Sequence, residues 1–242
     1  MIESNKELIN CVNVSKQFGY FFALKKISFK VKNSTIFGIA GANGVGKTTL
    51  IKILSGLLKP SRVGGAMGQI IIEGMNYEDH SDIIKKKIGI STDESFLYEE
   101  LTIFENLKFY DNLHHNFDKT NIKTKIEQFA KKFNLTEWIN EPVENLSHGM
   151  KQKVELIRVF MHKPSILFLD EPFSGLDYNT TKLLIDSLNE LRDKENVSII
   201  VTTHKTEILT QICDEIIVLK KGKINKSFTK EEYKGIQIES YF

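Results

Sequence analysis

The sequence predicts an α/β fold: a mixed, largely parallel sheet flanked by helices, with an N-terminal antiparallel β part and a helical lobe inserted in the core. Three observations predict it. The N-terminal segment alternates apolar and polar residues at period two, the mark of half-buried strands. Short apolar runs at 36–40, 166–169 and 197–201 are interleaved with helical stretches, the βαβ pattern of a parallel sheet. Between them, residues 99–157 carry helical rather than strand texture. With 41% hydrophobic and 26% charged residues in 242, one domain over 1–242 can bury a sizeable core without disulfides or metal.

The elements follow in order. Val12 and Val14 alternate with polar residues, as do Ile27, Phe29 and Val31. The run 36–40 ends in a glycine-rich turn, and a helix follows from near Lys47 through Leu54. Ile70, Ile71 and Ile72 form a further strand stopped by Gly74. Before it, the glycines of residues 59–69 predict a flexible surface loop. In the lobe, Thr102 and Glu105 stand at capping-box spacing and open a helix. Ile122, Ile126, Phe129 and Phe133 share one helical face. The second parallel section reads as strand 166–169, helix 180–191 and strand 197–201. A hairpin of 216–219 and 223–224 around Gly222 closes the chain.

Bulk properties exclude several classes. A formal net charge of +2 is too balanced for a dedicated nucleic-acid binder. Cys11 and Cys213 follow no framework, and the start, Met1 to Glu7, is polar, so reduced thiols in a cytoplasmic protein are expected. No apolar run nears the roughly 20 residues of a spanning helix. Work at a membrane would therefore go through a partner. Lys85, Lys86 and Lys87 read as a solvated face or as a membrane-facing run.

The richest segment is Gly41-Ala42-Asn43-Gly44-Val45-Gly46-Lys47-Thr48, which matches the phosphate-loop pattern G-x-x-x-x-G-K-[ST]. Its glycines let successive backbone N–H groups turn inward onto phosphate oxygens, and the helix that follows adds its positive end. Gly41, Asn43, Gly44, Val45 and Gly46 are the expected cradle for ATP. Lys47 supplies a point charge for the β and γ phosphates. Thr48 offers a hydroxyl to Mg²⁺, with Thr49 beside it among the nucleotide contacts.

The strand 166–169 ends in Asp170 and Glu171, and ligands of open α/β sheets bind at such carboxyl ends. Asp170 is expected to hold Mg²⁺, through water, and Glu171 to polarise an attacking water. Read alone, the pair is equally a solvated acidic turn.

With these motifs in place the chain resembles the ATP-binding cassette (ABC) ATPases over nearly its whole length. Leu146-Ser147-His148-Gly149-Met150 is similar to the family signature, Ser174-Gly175-Leu176-Asp177 to its D-loop, and His204 to its switch histidine. Phe18 stands where the family stacks an aromatic ring on adenine. The resemblance implies a phosphate-loop ATPase core and two cassettes paired head to tail, most simply a homodimer. ATP then lies between the phosphate loop of one and Ser147, Gly149 and Asp177 of the other. It implies catalytic roles for Glu171 and His204, and separate transmembrane permease subunits that hold the cassette on the inner face of the membrane. Plainer readings stay open: Phe18 as core, Ser147 as a helix N-cap.

The chain departs from the family pattern in the 59–69 segment, which is longer than the usual turn there, and at two residues. Asp93 stands where the family carries a glutamine that touches Mg²⁺, with Glu94 as the alternative alignment. A carboxylate can reach Mg²⁺ through water but cannot donate an amide hydrogen bond. His148 replaces a signature glycine. Both residue changes look more like an exporter than a nutrient importer. Phe96, Leu97 and Tyr98 are docking candidates or core. The alternative function is a soluble ABC ATPase acting on ribosomes or DNA, against which the single cassette and near-neutral charge speak.

Overall fold

The antiparallel part forms because period-two apolar residues need a partner strand. In the computed structural model, which describes residues 6–113, 122–233 and 235–242, β1 (Glu7–Phe18) pairs with β2 (Phe21–Lys32). Of the polar start, only Lys6 and Glu7 fall among the described residues. The expected inward face of β1 is corrected by a bulge. Asn13 adopts φ 51°, the register shifts between Cys11 and Val14, and the strand buries Cys11 and Val14 while Val12 stays partly exposed. A second left-handed residue, Lys26 at φ 50°, interrupts β2 beside the buried Ile27.

The central sheet begins with β3 (Ile36–Ala40), from which the chain turns into α1 (Lys47–Leu54). Residues 59–69 are not the expected loop. β4 (Arg62–Val63) pairs with β5 (Ala66–Met67), and Gly64 and Gly65, both at positive φ, make the two-residue turn of a small hairpin. β6 (Gln69–Ile72) pairs with β1, and β7 (Met75–Asn76) with β6. α2 (Tyr77–Lys85) follows, with the Asn76 side chain accepting from the Glu78 N–H at 3.0 Å. Asparagine followed by Glu78 and Asp79 is the capping and dipole signal that marks this helix in the sequence.

After β8 (Ile88–Ser91) come α3 (Ile103–Leu113), α4 (Ile122–Lys132) and α5 (His148–Met161). Residues 114–121 of the expected lobe lie outside the described residues. The capping box forms reciprocally: Thr102 N–H donates to Glu105 Oε2 at 2.9 Å, and Glu105 N–H to Thr102 Oγ1 at 3.1 Å. β9 (Ile166–Asp170), α6 (Tyr178–Glu195), β10 (Ser198–Thr202) and α7 (Thr206–Ile212) precede the closing hairpin of β11 (Glu215–Lys220) and β12 (Lys223–Thr229).

The six-stranded sheet has the order β12-β11-β3-β10-β9-β8, parallel except for β12. Its inner strands are buried on both faces, as parallel strands under helices must be. Alternate residues feed two cores. Leu167, Leu169, Ile199 and Val201 join one with α5, α6 and α7. Phe37, Ile39, Ile166, Phe168 and Ile200 join the other with α1 and the antiparallel strands. This stacking brings the carboxyl ends of β3, β9 and β10 to one edge, with Thr202 level with Ile39 and Asp170.

Candidate functional site

Three loops leave that edge side by side: the phosphate loop after β3, Asp170–Glu171 at the end of β9, and Thr203–His204 after β10. The Lys47 ammonium is buried there. It donates to Gly41 O at 2.8 Å and Ala42 O at 3.2 Å, and lies 3.8 Å from Glu171 Oε1. Burial pulls its pKa down, against the opposing charges of Glu171 and Asp170.

Glu171 holds φ 48°, a left-handed conformation costing about 1–2 kcal/mol for a residue with Cβ. Two bonds pin it there: its N–H donates to Thr202 O and to Thr202 Oγ1, both at 3.1 Å. The carboxylate reaches His204. Oε2 lies 2.9 Å from His204 Nδ1 and 3.3 Å from the His204 N–H. An ionised carboxylate only accepts, so Nδ1 carries the proton in that pair.

Asp170 is 2% exposed. Oδ1 accepts from Thr202 Oγ1, while Oδ2 is buried with no donor in hydrogen-bonding geometry among the described residues. Burial raises the Asp170 pKa, and the charges of Asp93 and Glu171 push the same way; the Thr202 and Thr48 hydroxyls oppose them. The site therefore presents a buried carboxylate oxygen that makes no hydrogen bond, with the Lys47 charge and the Thr48 hydroxyl near the same carboxylate.

A second cluster forms at the N-terminus of α5. Ser147 is its N-cap, with Oγ accepting from Met150 N–H at 3.3 Å, so the capping reading holds. Asp177 caps α6 likewise: Oδ1 accepts from Thr180 N–H at 2.8 Å and Oδ2 lies 3.5 Å from Lys153 Nζ of α5. The two caps touch through glycine. A Cβ on Gly149 would stand 2.5 Å from Gly175 O, and one on Gly175 2.6 Å from His148 Cδ2. The His148 ring thus lies over the D-loop backbone. Among the described residues, no hydrogen bond or ion pair joins Ser147, Gly149 or Asp177 to the phosphate loop.

Two further candidates stand apart. Phe18 ends β1, half exposed and in neither core, with the Lys16 ammonium 5.2 Å from its ring centre; the core reading of Phe18 is thereby removed. Asp93 is exposed and lies 3.2 Å from Lys52 Nζ of α1, which also meets Glu94 at 3.0 Å. Leu97 is buried, Phe96 half-buried and Tyr98 exposed, so the docking candidates divide.

The family model described as ABC transporter matches residues 24–174, which carry the phosphate loop, the signature and the acidic strand end. The chain belongs to the ABC transporter family. It is 35% identical to an uncharacterized ABC transporter ATP-binding protein of Methanocaldococcus jannaschii, over 90% of this chain and 76% of the relative. A sulfate/thiosulfate import ATP-binding protein of Synechocystis is 37% identical, covering 91% of this chain and 60% of its own. A probable multidrug ABC transporter ATP-binding protein of Escherichia coli is 33% identical over 94% of this chain and 38% of its own. A solved ATP-binding subunit of an ABC transporter superposes with TM-score 0.82 at 26% identity, over 94% of this chain and 92% of that one.

This ABC protein is accordingly an ATP-binding, ATP-hydrolysing cassette with the fold expected from its sequence. Import and multidrug transport both occur among its relatives, so membership in the family carries no direction. No helix among the described residues is long and apolar enough to cross a membrane.

Proposed function

We propose that the cassette hydrolyses Mg²⁺-bound ATP in a head-to-tail pair with a second copy of itself and drives export through separate membrane-spanning subunits. The observation that carries the chemistry is the Glu171 carboxylate, set 3.8 Å from Lys47 and 2.9 Å from His204 at the strand ends beside the phosphate loop. In this reading, backbone N–H groups from Gly41 to Gly46, with Asn43, Val45 and Thr49, cradle the phosphates, and Lys47 faces the β and γ groups. Phe18 stacks on the base. Glu171 accepts a proton from the water that attacks the γ-phosphorus, and the bond to the β–γ bridging oxygen breaks to leave ADP. His204 orients Glu171 and the γ-phosphate. Ser147, Gly149 and Asp177 complete the partner's site.

The residues present fit Mg²⁺. Asp170 Oδ2 is buried with no donor in hydrogen-bonding geometry, and the Thr48 hydroxyl is near the carboxylate, a hard-oxygen pair of the kind the ion takes. Asp93, whose charge reaches Asp170, is the third candidate. When bound, the ion would neutralise charge on the phosphate oxygens. Export, rather than import, rests on the carboxylate at position 93 and on His148 in the signature, an argument by resemblance.

The test is co-purification of a tagged copy from detergent-solubilised membranes, with mass spectrometry of what accompanies it. Polytopic membrane proteins of exporter type are the expected result. Ribosomes, DNA-repair factors or an import permease would overturn the partner assignment and leave the ATP site as argued.

A further inference from the structure

Residues 93–96 span two helices that carry nucleotide motifs. At one end Asp93 and Glu94 meet Lys52, five residues along α1 from Lys47, at 3.2 and 3.0 Å. At the other, Glu155 of α5 receives the chain: its Oε1 accepts from Phe96 N–H at 2.6 Å and from Ser95 Oγ at 3.0 Å. Oε2 accepts from Arg158 Nε at 2.8 Å, and Arg158 Nη2 donates to Ile90 O at 2.7 Å. The guanidinium also lies 5.0 Å from the Phe96 ring centre and 5.1 Å from that of Tyr110, whose hydroxyl donates to Phe96 O.

Both charges are buried, Glu155 at 4% and Arg158 at 9% exposure. A buried pair is a poor device for stability, because desolvation offsets most of its attraction. Such a pair can instead define one arrangement, and here most of its contacts outside α5 go to one stretch, 90–96. Neither residue touches the phosphate loop. Ser147, the N-cap of α5, is eight residues or about 12 Å along the helix from Glu155.

We propose that Glu155 and Arg158 are positioning residues: they latch segment 90–98 to α5, and this segment, tied to α1 through Lys52, sets the signature in register with the phosphate loop. The inference takes ATP hydrolysis by the cassette as given and does not depend on the direction of transport or on its membrane partners. Nucleotide binding by the phosphate loop alone does not need the latch, whereas turnover by a closed pair does. The latch therefore acts on kcat and leaves nucleotide affinity alone.

The decisive variant replaces both charges, Glu155→Met with Arg158→Met, so that no unpaired charge is left inside. Three quantities are read on the full chain: ATP affinity by calorimetry, kcat and KM for ATP hydrolysis, and amide hydrogen exchange resolved by residue. The expected result is affinity and KM within about twofold of the parent, kcat lower by at least about tenfold, and Phe96 and Leu97 amides exchanging at least about tenfold faster while β3, β9 and β10 stay protected. Unchanged kcat, or unchanged protection at Phe96, overturns the proposal. A uniform rise in exchange through all strands also overturns it, since that marks a general stability role. If the double variant does not fold, Glu155→Gln takes its place. It keeps the size and one acceptor but loses the negative charge that faces Arg158, and a fall in kcat of at least about threefold at constant KM is expected. A parent chain without ATPase activity would defeat the functional reading first, leaving the exchange result to judge the latch.

Discussion

His204 Nδ1 lies 2.9 Å from Glu171 Oε2, and the His204 N–H points at the same oxygen over 3.3 Å. One carboxylate oxygen thus belongs to histidine and the other faces Lys47. Glu171→Gln keeps the shape of the side chain but removes the basic oxygen. Hydrolysis should fall by roughly 10²- to 10⁴-fold, with ATP affinity retained and a stable pair of cassettes at saturating ATP. Single-turnover kinetics and size-exclusion chromatography read both; turnover at the parent rate would remove Glu171 from its role.

Phe18 offers a cleaner separation of binding from folding, because its ring is half exposed and belongs to neither core. Phe18→Ala should weaken ATP binding by about fivefold, the equivalent of about 1 kcal/mol of stacking. The melting temperature should barely move. Calorimetric titration beside a thermal melt checks this, and a large loss of stability with unchanged affinity would contradict the stacking role.

Gly175 has φ 69°, and a Cβ there would stand 2.6 Å from His148 Cδ2, so the exposed histidine ring would have to shift. Gly175→Ala should cost about 1–3 kcal/mol through strain and overpacking together. In a His148→Gly background the steric part should vanish and the backbone part remain. Denaturant unfolding of the four proteins in the cycle should give a coupling of about 0.5–1 kcal/mol. Strict additivity would place the two residues out of contact.

Asp177 predicts an acid-side effect. The Thr180 hydroxyl and N–H hold its carboxylate charged and lower its pKa from 3.8 to about 2, with Lys153 adding to this. The folded value lies below the unfolded one, so its stabilisation is complete above about pH 4 and is lost as the pH falls toward 2. Asp177→Asn should therefore melt lower than the parent near neutral pH, and the gap should close on acidification. The side chain is largely exposed, so the gap should be small and should shrink with salt. A gap independent of pH would assign the effect to shape and not to charge.

The sequence by itself determined the motifs and the elements that carry them. The phosphate loop, the acidic strand end, the capping box at Thr102 and the two-faced apolar runs are local patterns, set by backbone freedom, helix-end chemistry and periodicity. The signal for α2, Asn76 followed by Glu78 and Asp79, stands in the sequence but is not among the elements predicted from it. Other features needed the third dimension. The left-handed Asn13 shifts the face of β1, because a bulge depends on the partner strand and not on alternation. Within 59–69, residues 62–67 became a hairpin only through pairing across Gly64 and Gly65. The meeting of Lys47, Glu171 and His204 spans 157 positions of chain numbering (204 − 47) and exists because β3, β9 and β10 lie side by side in the sheet. Glu155 carried no signal at all in one dimension: a glutamate on a helix is ordinarily solvated, and only the packing of segment 90–98 against α5 buries it and supplies its partners.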